Sequence, residues 1–379
     1  FAAGTRHTIA DYATRCPLVR GIGLTVMRGA TASVTSVRVD QNTPEGVRSP
    51  QLSIFRQDPG AGWVYRVGGP DRIDTALRAA RMLQARIGQF DAAVLGRADG
   101  FADNLAGTAL AKTYRAPLLL TGRTQLDARV AKELTTSVRP GGTVYLLGGT
   151  AALSPQVEQA VAALGFTVKR LAGADRFATA VAIFDQLVPH PEPEGQLCQV
   201  SLADGLNFPD ALVAANLDKP IIFSAGSTLP PTTSEFLRRC DVGRMVTVVG
   251  GPAARALAGS SYAGALWFRY VGADRYGTSE AVLRAMAPTD RRPLLDLSMA
   301  TGENFPDALV AATLGVTVLS PPDAPRESLH AIVSDMAPYL NAIYLLGDTD
   351  VLSDTVGERV KSWMAGQTTG HIVSPAVEN

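Results

Sequence analysis

The chain has 379 residues, 46% hydrophobic and 18% charged, with 35 Lys and Arg against 35 Asp and Glu. Such a balance fits two or three well-packed α/β domains and excludes a disordered chain. A formal net charge of zero leaves no global field to draw nucleic acid or an anionic membrane, and no apolar run reaches the roughly eighteen residues of a membrane span.

Residues 1–62 read as a small β-rich module or arm. Residues 25–27, 33–39 and 51–55 alternate like half-buried strands, separated by turn chemistry around Gly29 and at Pro44-Glu45-Gly46. The chain begins at Phe1 rather than Met and reads as processed or excerpted, so a missing leader says nothing of compartment. From Trp63 the rhythm changes. Strands are predicted at 63–67, 93–95, 117–121 and 143–147, and helices at 71–87, 103–114, 126–135 and 155–164. This is strict β-α alternation with short, continuously apolar strands. Strands of that kind are buried on both faces, so the sheet is expected to be parallel with helices on each side. The order then repeats, with opening strands at 166–171 and 266–271, third strands at 220–224 and 316–320, and last strands at 245–249 and 342–346. Residues 189–195 carry three prolines and are predicted as a loop. Residues 366–379 read as a linker or tail.

Internal repetition is explicit in the letters. Phe208-Pro209-Asp210-Ala211-Leu212-Val213-Ala214-Ala215 returns as Phe305-Pro306-Asp307-Ala308-Leu309-Val310-Ala311-Ala312, and a worn copy begins at Phe101-Ala102-Asp103. The chain is therefore a tandem array of three units of about a hundred residues, at 63–165, 166–265 and 266–365.

Three motifs recur. Gly-x-Asp-Arg-x-x-Thr begins at Gly69, Gly173 and Gly272. Each copy follows a strand and opens a helix, so Gly makes the turn and Asp71, Asp175 and Asp274 are expected to cap the helices. No cap needs the Arg that follows, which is unfavourable against the helix dipole. Arg72, Arg176 and Arg275 either bridge to a carboxylate of another unit or hold an anionic ligand with their planar forks. In the second motif, Asn207 and Asn304 stand three residues before Asp210 and Asp307. That spacing resembles a capping box, with the Phe between them stapling strand end to helix. Asp103, Asp210 and Asp307 are expected to face the strand ends, where open α/β sheets bind ligands. In the first unit Gly100 and Ala102 replace Asn and Pro. The third motif is the glycine pair after the last strand, Gly148-Gly149 and Gly250-Gly251, which becomes Gly347-Asp348 in the third unit. It makes a tight turn or lets a phosphate approach.

No Ser or Cys nucleophile has a matching His, the four histidines are scattered, and no P-loop Lys occurs. Catalytic residues, metal ligands and cofactors are therefore not assigned. Of the three cysteines, Cys198 and Cys240 fall near the starts of two strands in one unit. They form a disulfide or are two separately buried thiols, and Cys16 is left unpaired.

Residues 146–154 (Leu-Leu-Gly-Gly-Thr-Ala-Ala-Leu-Ser), 170–176 (Arg-Leu-Ala-Gly-Ala-Asp-Arg), 207–212 and 304–309 (Asn-Phe-Pro-Asp-Ala-Leu) resemble the cell wall binding repeat 2 family of Gram-positive surface proteins. The resemblance covers residues 63 to about 365 and leaves 1–62 outside. It implies three Rossmann-like parallel-sheet modules packed as a pseudo-threefold trimer, in an extracellular, cell-wall-associated protein. It also implies non-covalent anchoring to an anionic wall polysaccharide or teichoic-acid-like polymer, with no nucleic acid, membrane span or cofactor involved. On that basis Arg72, Arg176 and Arg275 are the expected polymer contacts, helped by backbone N–H groups of Gly69, Gly173 and Gly272. The departures at Gly100, Ala102 and Asp348 argue against equal affinity in the three modules. Two other readings remain: a structural subunit of a surface layer or filament, self-associating through its repeats, and an enzyme with its ligand at the strand ends.

Overall fold

The structure is a computed structural model and describes residues 63–188, 198–240, 245–286, 295–365 and 372–373. The N-terminal region, Cys16, the 189–195 loop and the tail other than residues 372–373 lie outside the described residues.

The first repeat runs β1 (Trp63–Val67), α1 (Arg72–Ile87), β2 (Phe90–Arg97), α2 (Ala102–Thr113), β3 (Leu118–Thr121), α3 (Ala128–Ser137), β4 (Val138–Leu147) and α4 (Pro155–Ala163). The second runs β5 (Thr167–Leu171), α5 (Arg176–Leu187), β6 (Val200–Asp204), α6 (Pro209–Ala214), β7 (Ile221–Ser224), α7 (Pro231–Arg239), β8 (Val246–Val249) and α8 (Gly251–Ala258). The third runs β9 (Leu266–Tyr270), α9 (Arg275–Met286), β10 (Leu295–Thr301), α10 (Pro306–Leu314), β11 (Val316–Ser320), α11 (Glu327–Met336), β12 (Leu340–Leu346) and α12 (Asp354–Ala365), and β13 (Ile372–Val373) follows.

All strand pairs within the three sheets are parallel, and the sheets share one plan. Their orders are β3-β2-β4-β5, β7-β6-β8-β9 and β11-β10-β12-β1-β13. Each sheet takes three strands from one repeat and its fourth from the start of the next. In the third sheet that strand is β1, from the start of the first repeat, which closes the set by pairing with β12, from Trp63 against Ala342 to Val67 against Leu346. This lateral exchange leaves no module with a private sheet. It also covers the β12 edge, whose N–H and C=O groups would otherwise stand unpaired.

Three helices bury most of their residues and expose almost none: α2, α6 and α10. These three pack against one another at the centre of the three-repeat unit. They are the helices that follow the repeated Phe. One continuous core joins them to all three sheets, with Leu105 and Leu110, Leu212 and Val213, and Leu309 and Val310 all at 1% exposure or less. A satellite core lies inside the second module, under α7 and α8, and another inside the third, under α11 and α12. In the second, Cys198 and Cys240 are disulfide-bonded with Cα atoms 5.5 Å apart, inside the usual span for such a bridge. The bond ties the approach to β6 to the end of α7.

Candidate functional site

Each Gly-x-Asp-Arg-x-x-Thr motif folds the same way. Asp71, Asp175 and Asp274 accept from the backbone N–H three residues on, at 2.7, 2.8 and 2.8 Å. The Gly N–H donates to the motif's own Thr, Gly69 to Thr75 at 3.1 Å, Gly173 to Thr179 at 3.1 Å and Gly272 to Thr278 at 3.2 Å. These three N–H groups are thus spent inside their own turns. The expectation that they meet a ligand is corrected by that geometry: the turn closes on the Thr hydroxyl, and nothing is left to donate.

The arginines lead to the middle of the molecule. Phe101, Phe208 and Phe305 form a triangle with centroid separations of 6.1, 5.5 and 6.2 Å and interplanar angles of 60–61°. Tilted rings at these distances suit the aromatic quadrupole, and the near-equal angles mark a pseudo-threefold axis. Arg72 lies over Phe305 at 5.6 Å, Arg176 over Phe101 at 5.7 Å and Arg275 over Phe208 at 5.9 Å. Every guanidinium therefore rests on the Phe of the preceding repeat, counted around the ring. Each also donates through Nη1 to a carbonyl at the end of a strand in its own repeat. Arg72 reaches Ala98 O at 2.8 Å, Arg176 reaches Gly205 O at 2.7 Å, and Arg275 reaches Gly302 O. Among the described residues no hydrogen bond occupies Nε or Nη2 of these three arginines.

The carboxylates complete the inter-repeat joint. Burial raises the pKa of Asp103, Asp210 and Asp307, offset in part by a hydrogen bond from the Thr of the next repeat and by the charge of its Arg. Asp103 meets Thr179 and Arg176, Asp210 meets Thr278 and Arg275, and Asp307 meets Thr75 and Arg72. Asp210 is pushed up to about 6, because burial is reinforced by the nearby Asp204. Each of these acids sits against the first glycine of the third motif. Gly148, Gly250 and Gly347 all have positive φ, at 86°, 90° and 95°; a Cβ on Gly148 or Gly250 would run into the acid's carboxylate, and one on Gly347 would meet Val351 first and the Asp307 carboxylate at 3.0 Å. Their N–H groups bond Leu171 O, Tyr270 O and Val67 O, so they do not form a phosphate cradle.

The expected capping box is corrected. The helices begin at Pro209 and Pro306, with Phe208 and Phe305 in the N-cap position. Asn207 and Asn304 only accept from the N–H of the next residue, at 3.0 Å each. The Asn is one residue too early to cap, and the acid three positions on faces another repeat. In the first repeat Asn104 stands in for the missing pattern, donating to Arg97 O at 2.9 Å and Gly100 O at 2.8 Å. The third-repeat Asp348 accepts from Asp350 N and Val351 N, both at 3.2 Å, which holds the turn that a second glycine makes elsewhere.

Two sets of residues were missed from the sequence. Thr75, Thr179 and Thr278 link a turn to the acid of the preceding module, counted around the ring, and their threefold recurrence was the available signal. Arg66 and Arg170 reach back to Gly347 O at 3.0 Å and Gly148 O at 2.9 Å, and pair with Asp354 at 2.9 Å and Glu158 at 2.7 Å. At the other end of the axis the contacts differ from one joint to the next. Lys112 bonds Ala215 O and Asp218, Asn216 exchanges two bonds with Thr317, and Arg86 bonds Leu314 O and Asp296.

Three parallel α/β modules, exchanging strands and locked around one axis by repeated Asp, Thr, Arg and Phe, define a repeat-built binding protein. Residues 66–158, 170–256 and 269–357 each match Cell wall binding domain 2 (CWB2), and the chain belongs to that family. It is accordingly an extracellular, cell-wall-associated protein that binds the cell wall. It is 24% identical over 328 residues to N-acetylmuramoyl-L-alanine amidase LytC of Bacillus subtilis, which covers 80% of this chain and 59% of LytC. The uncharacterized protein PH0614 of Pyrococcus horikoshii is 27% identical over 162 residues, 41% of this chain and 47% of its own length. This chain thus spans little more than half of LytC and just under half of PH0614. The same fold occurs in Cwp6 from Clostridium difficile, with a TM-score of 0.68 at 20% identity over 89% of this chain and 52% of that one. It occurs again in Cwp8 from the same organism, at 0.67, 22%, 80% and 52%.

Proposed function

We propose that residues 63–365 anchor the protein non-covalently to an anionic cell-wall polymer, and that this part of the chain binds rather than catalyses. The observation that carries the reading is the placing of Arg72, Arg176 and Arg275. Each is anchored by one nitrogen and one aromatic face, with its remaining donors uncommitted among the described residues. The three forks stand over the rings of the Phe triangle, around one axis. They act as a composite site for clustered negative charge, rather than as three sites in series along a polymer. A guanidinium fork is well matched to phosphate or carboxylate, and three such forks around one axis strengthen what a single fork does weakly. On this reading the same arginines also help hold the modules together, each stacked on the Phe of another repeat.

The test is co-sedimentation of the full chain with Gram-positive sacculi before and after hydrofluoric acid removes their phosphodiester-linked polymers. Binding is expected to intact sacculi, to fall as salt screens the charges, and to be largely lost on the stripped material. Equal binding to stripped sacculi, unaffected by salt, would show that the anionic polymer is not the ligand.

A further inference from the structure

The strands that open the three repeats occupy equivalent edge positions, and one of them is unlike its sisters. β1 is covered by β13, with Val64 opposite Ile372 and Tyr65 opposite Val373. β5 exposes only Thr167 and Lys169. β9 exposes Leu266, Trp267 and Phe268 at 40, 41 and 43%, the longest run of open apolar side chains among the described residues.

A bulge and a missing tyrosine produce this surface. In the first sheet Val168 lies opposite Val144 and Lys169 opposite Tyr145. In the second, Leu266 takes the place opposite Val246 and Phe268 that opposite Thr247, so Trp267 is an extra residue. A bulge of this kind re-aims side chains, and here the Trp267 and Phe268 rings come together at 4.8 Å and 34°. In the other two sheets the position of Thr247 holds Tyr145 and Tyr344, each stacked on a further tyrosine, Tyr114 at 5.3 Å and Tyr65 at 5.8 Å. Thr247 leaves that space open. Lys219 fills it, donating to Thr247 Oγ1 at 3.0 Å, with its ammonium 4.4 Å from the Trp267 ring centre and 5.9 Å from that of Phe268.

We propose that Trp267, Phe268 and Lys219 form a second subsite, peculiar to this one joint, that takes a sugar ring of an acidic glycan. The C–H face of the sugar packs on the two rings, and its acidic substituent meets Lys219. The proposal rests on the wall-polymer reading above. Area argues against a protein partner. Two rings of this exposure offer roughly 200 Å², far short of the roughly 600 Å² or more that each partner gives to a specific protein interface, whereas one pyranose needs no more. Charge argues the same way. Burial lowers the pKa of Lys219, the mark of an ammonium short of water, which an anion would compensate. Arg269 adds a second cation on the same strand. Its counterparts Arg66 and Arg170 are tied to Asp354 and Glu158, whereas Arg269 is exposed.

The experiment titrates the full chain with soluble acidic polysaccharide released from sacculi by mild acid, following intrinsic tryptophan fluorescence, alongside sacculus co-sedimentation. The wild type is expected to be quenched. Trp267→Leu should lose the quench although Trp63 and Trp363 remain, and should bind about five- to tenfold more weakly. Lys219→Gln should weaken binding similarly while keeping the quench at saturation. If the wild type sediments with sacculi but both variants bind the soluble polysaccharide as it does, the subsite is overturned and the anchoring reading stands. If the wild type neither sediments nor is quenched, both are overturned. If Trp267→Leu instead converts a dimer to a monomer in sedimentation velocity, the patch is a contact between copies and the sugar subsite is wrong.

Discussion

The guanidinium of Arg176 lies 5.7 Å from the centre of the Phe101 ring while its Nη1 donates to Gly205 O at 2.7 Å. One side chain thus fastens the second repeat to the first and to its own strand end. Its charge also offsets the burial of Asp103. Arg176→Ala removes a stacked cation, a hydrogen bond to a carbonyl and that compensation. The expected cost is about 2–3 kcal/mol in urea unfolding. Arg176→Lys should recover little of it, because an ammonium cannot stack and fork at once. Full recovery by Lys would mean that charge alone matters at this joint.

The two glycines of the third motif should behave oppositely. Gly250 has a φ of 90°, and a Cβ there would strike the Asp210 carboxylate, whereas nothing lies within 4 Å of a Cβ on Gly149. Gly250→Ala is expected to destabilise by about 2–4 kcal/mol and Gly149→Ala by no more than about 0.5 kcal/mol. Thermal or urea unfolding of the pair decides it, and similar losses at both positions would contradict the geometry.

The buried acids make stability depend on pH. Asp210 is held at about 6 in the folded protein against 3.8 for an ordinary Asp. Between those values the folded state keeps a proton that the unfolded chain has released. This group's contribution to stability therefore falls as pH rises from about 4 to 7, by an amount on the order of 3 kcal/mol. Asp103 and Asp307 are raised as well and act in the same direction. Asp210→Asn can still accept from Thr278 but carries no charge. Relative to the wild type it should gain stability across that window, and a difference independent of pH would exclude this account of the joint.

The disulfide joins Cys198 and Cys240, which stand 42 positions apart in the sequence. Loop-closure entropy for that length gives a stabilisation of about 4 kcal/mol. Reduction with dithiothreitol, or the double change to Ser, is expected to lower the unfolding midpoint. The loss should appear in the second module first, because the bridge lies in that module's satellite core. Hydrogen exchange resolved along the chain would locate it, and protection lost evenly across all three modules would contradict the assignment.

Much of the fold was legible because its signals are local. The β-α order, the Asp caps at 71, 175 and 274, and the three units follow from periodicity, turn residues and internal identity. Partner choice was not legible. Nothing near Trp63 says that β1 pairs with a strand starting at Leu340, since that pairing follows from closing the ring. The Phe residues were read as local staples, yet they meet one another from three repeats. The Asn-to-Asp spacing suggested a capping box, but Pro fixes the first helical position one residue later than that pattern needs. The arginines were open between two roles because composition does not say which way a side chain runs.

Arginine footprinting on the wall-bound protein tests the composite site most directly. The full chain would be treated with phenylglyoxal free in solution and again on sacculi, and modification read by peptide mass spectrometry. The three guanidiniums over the Phe triangle are expected to become protected together on the wall. A chain that sediments with sacculi while Arg72, Arg176 and Arg275 react as fast as they do in solution would place the polymer elsewhere.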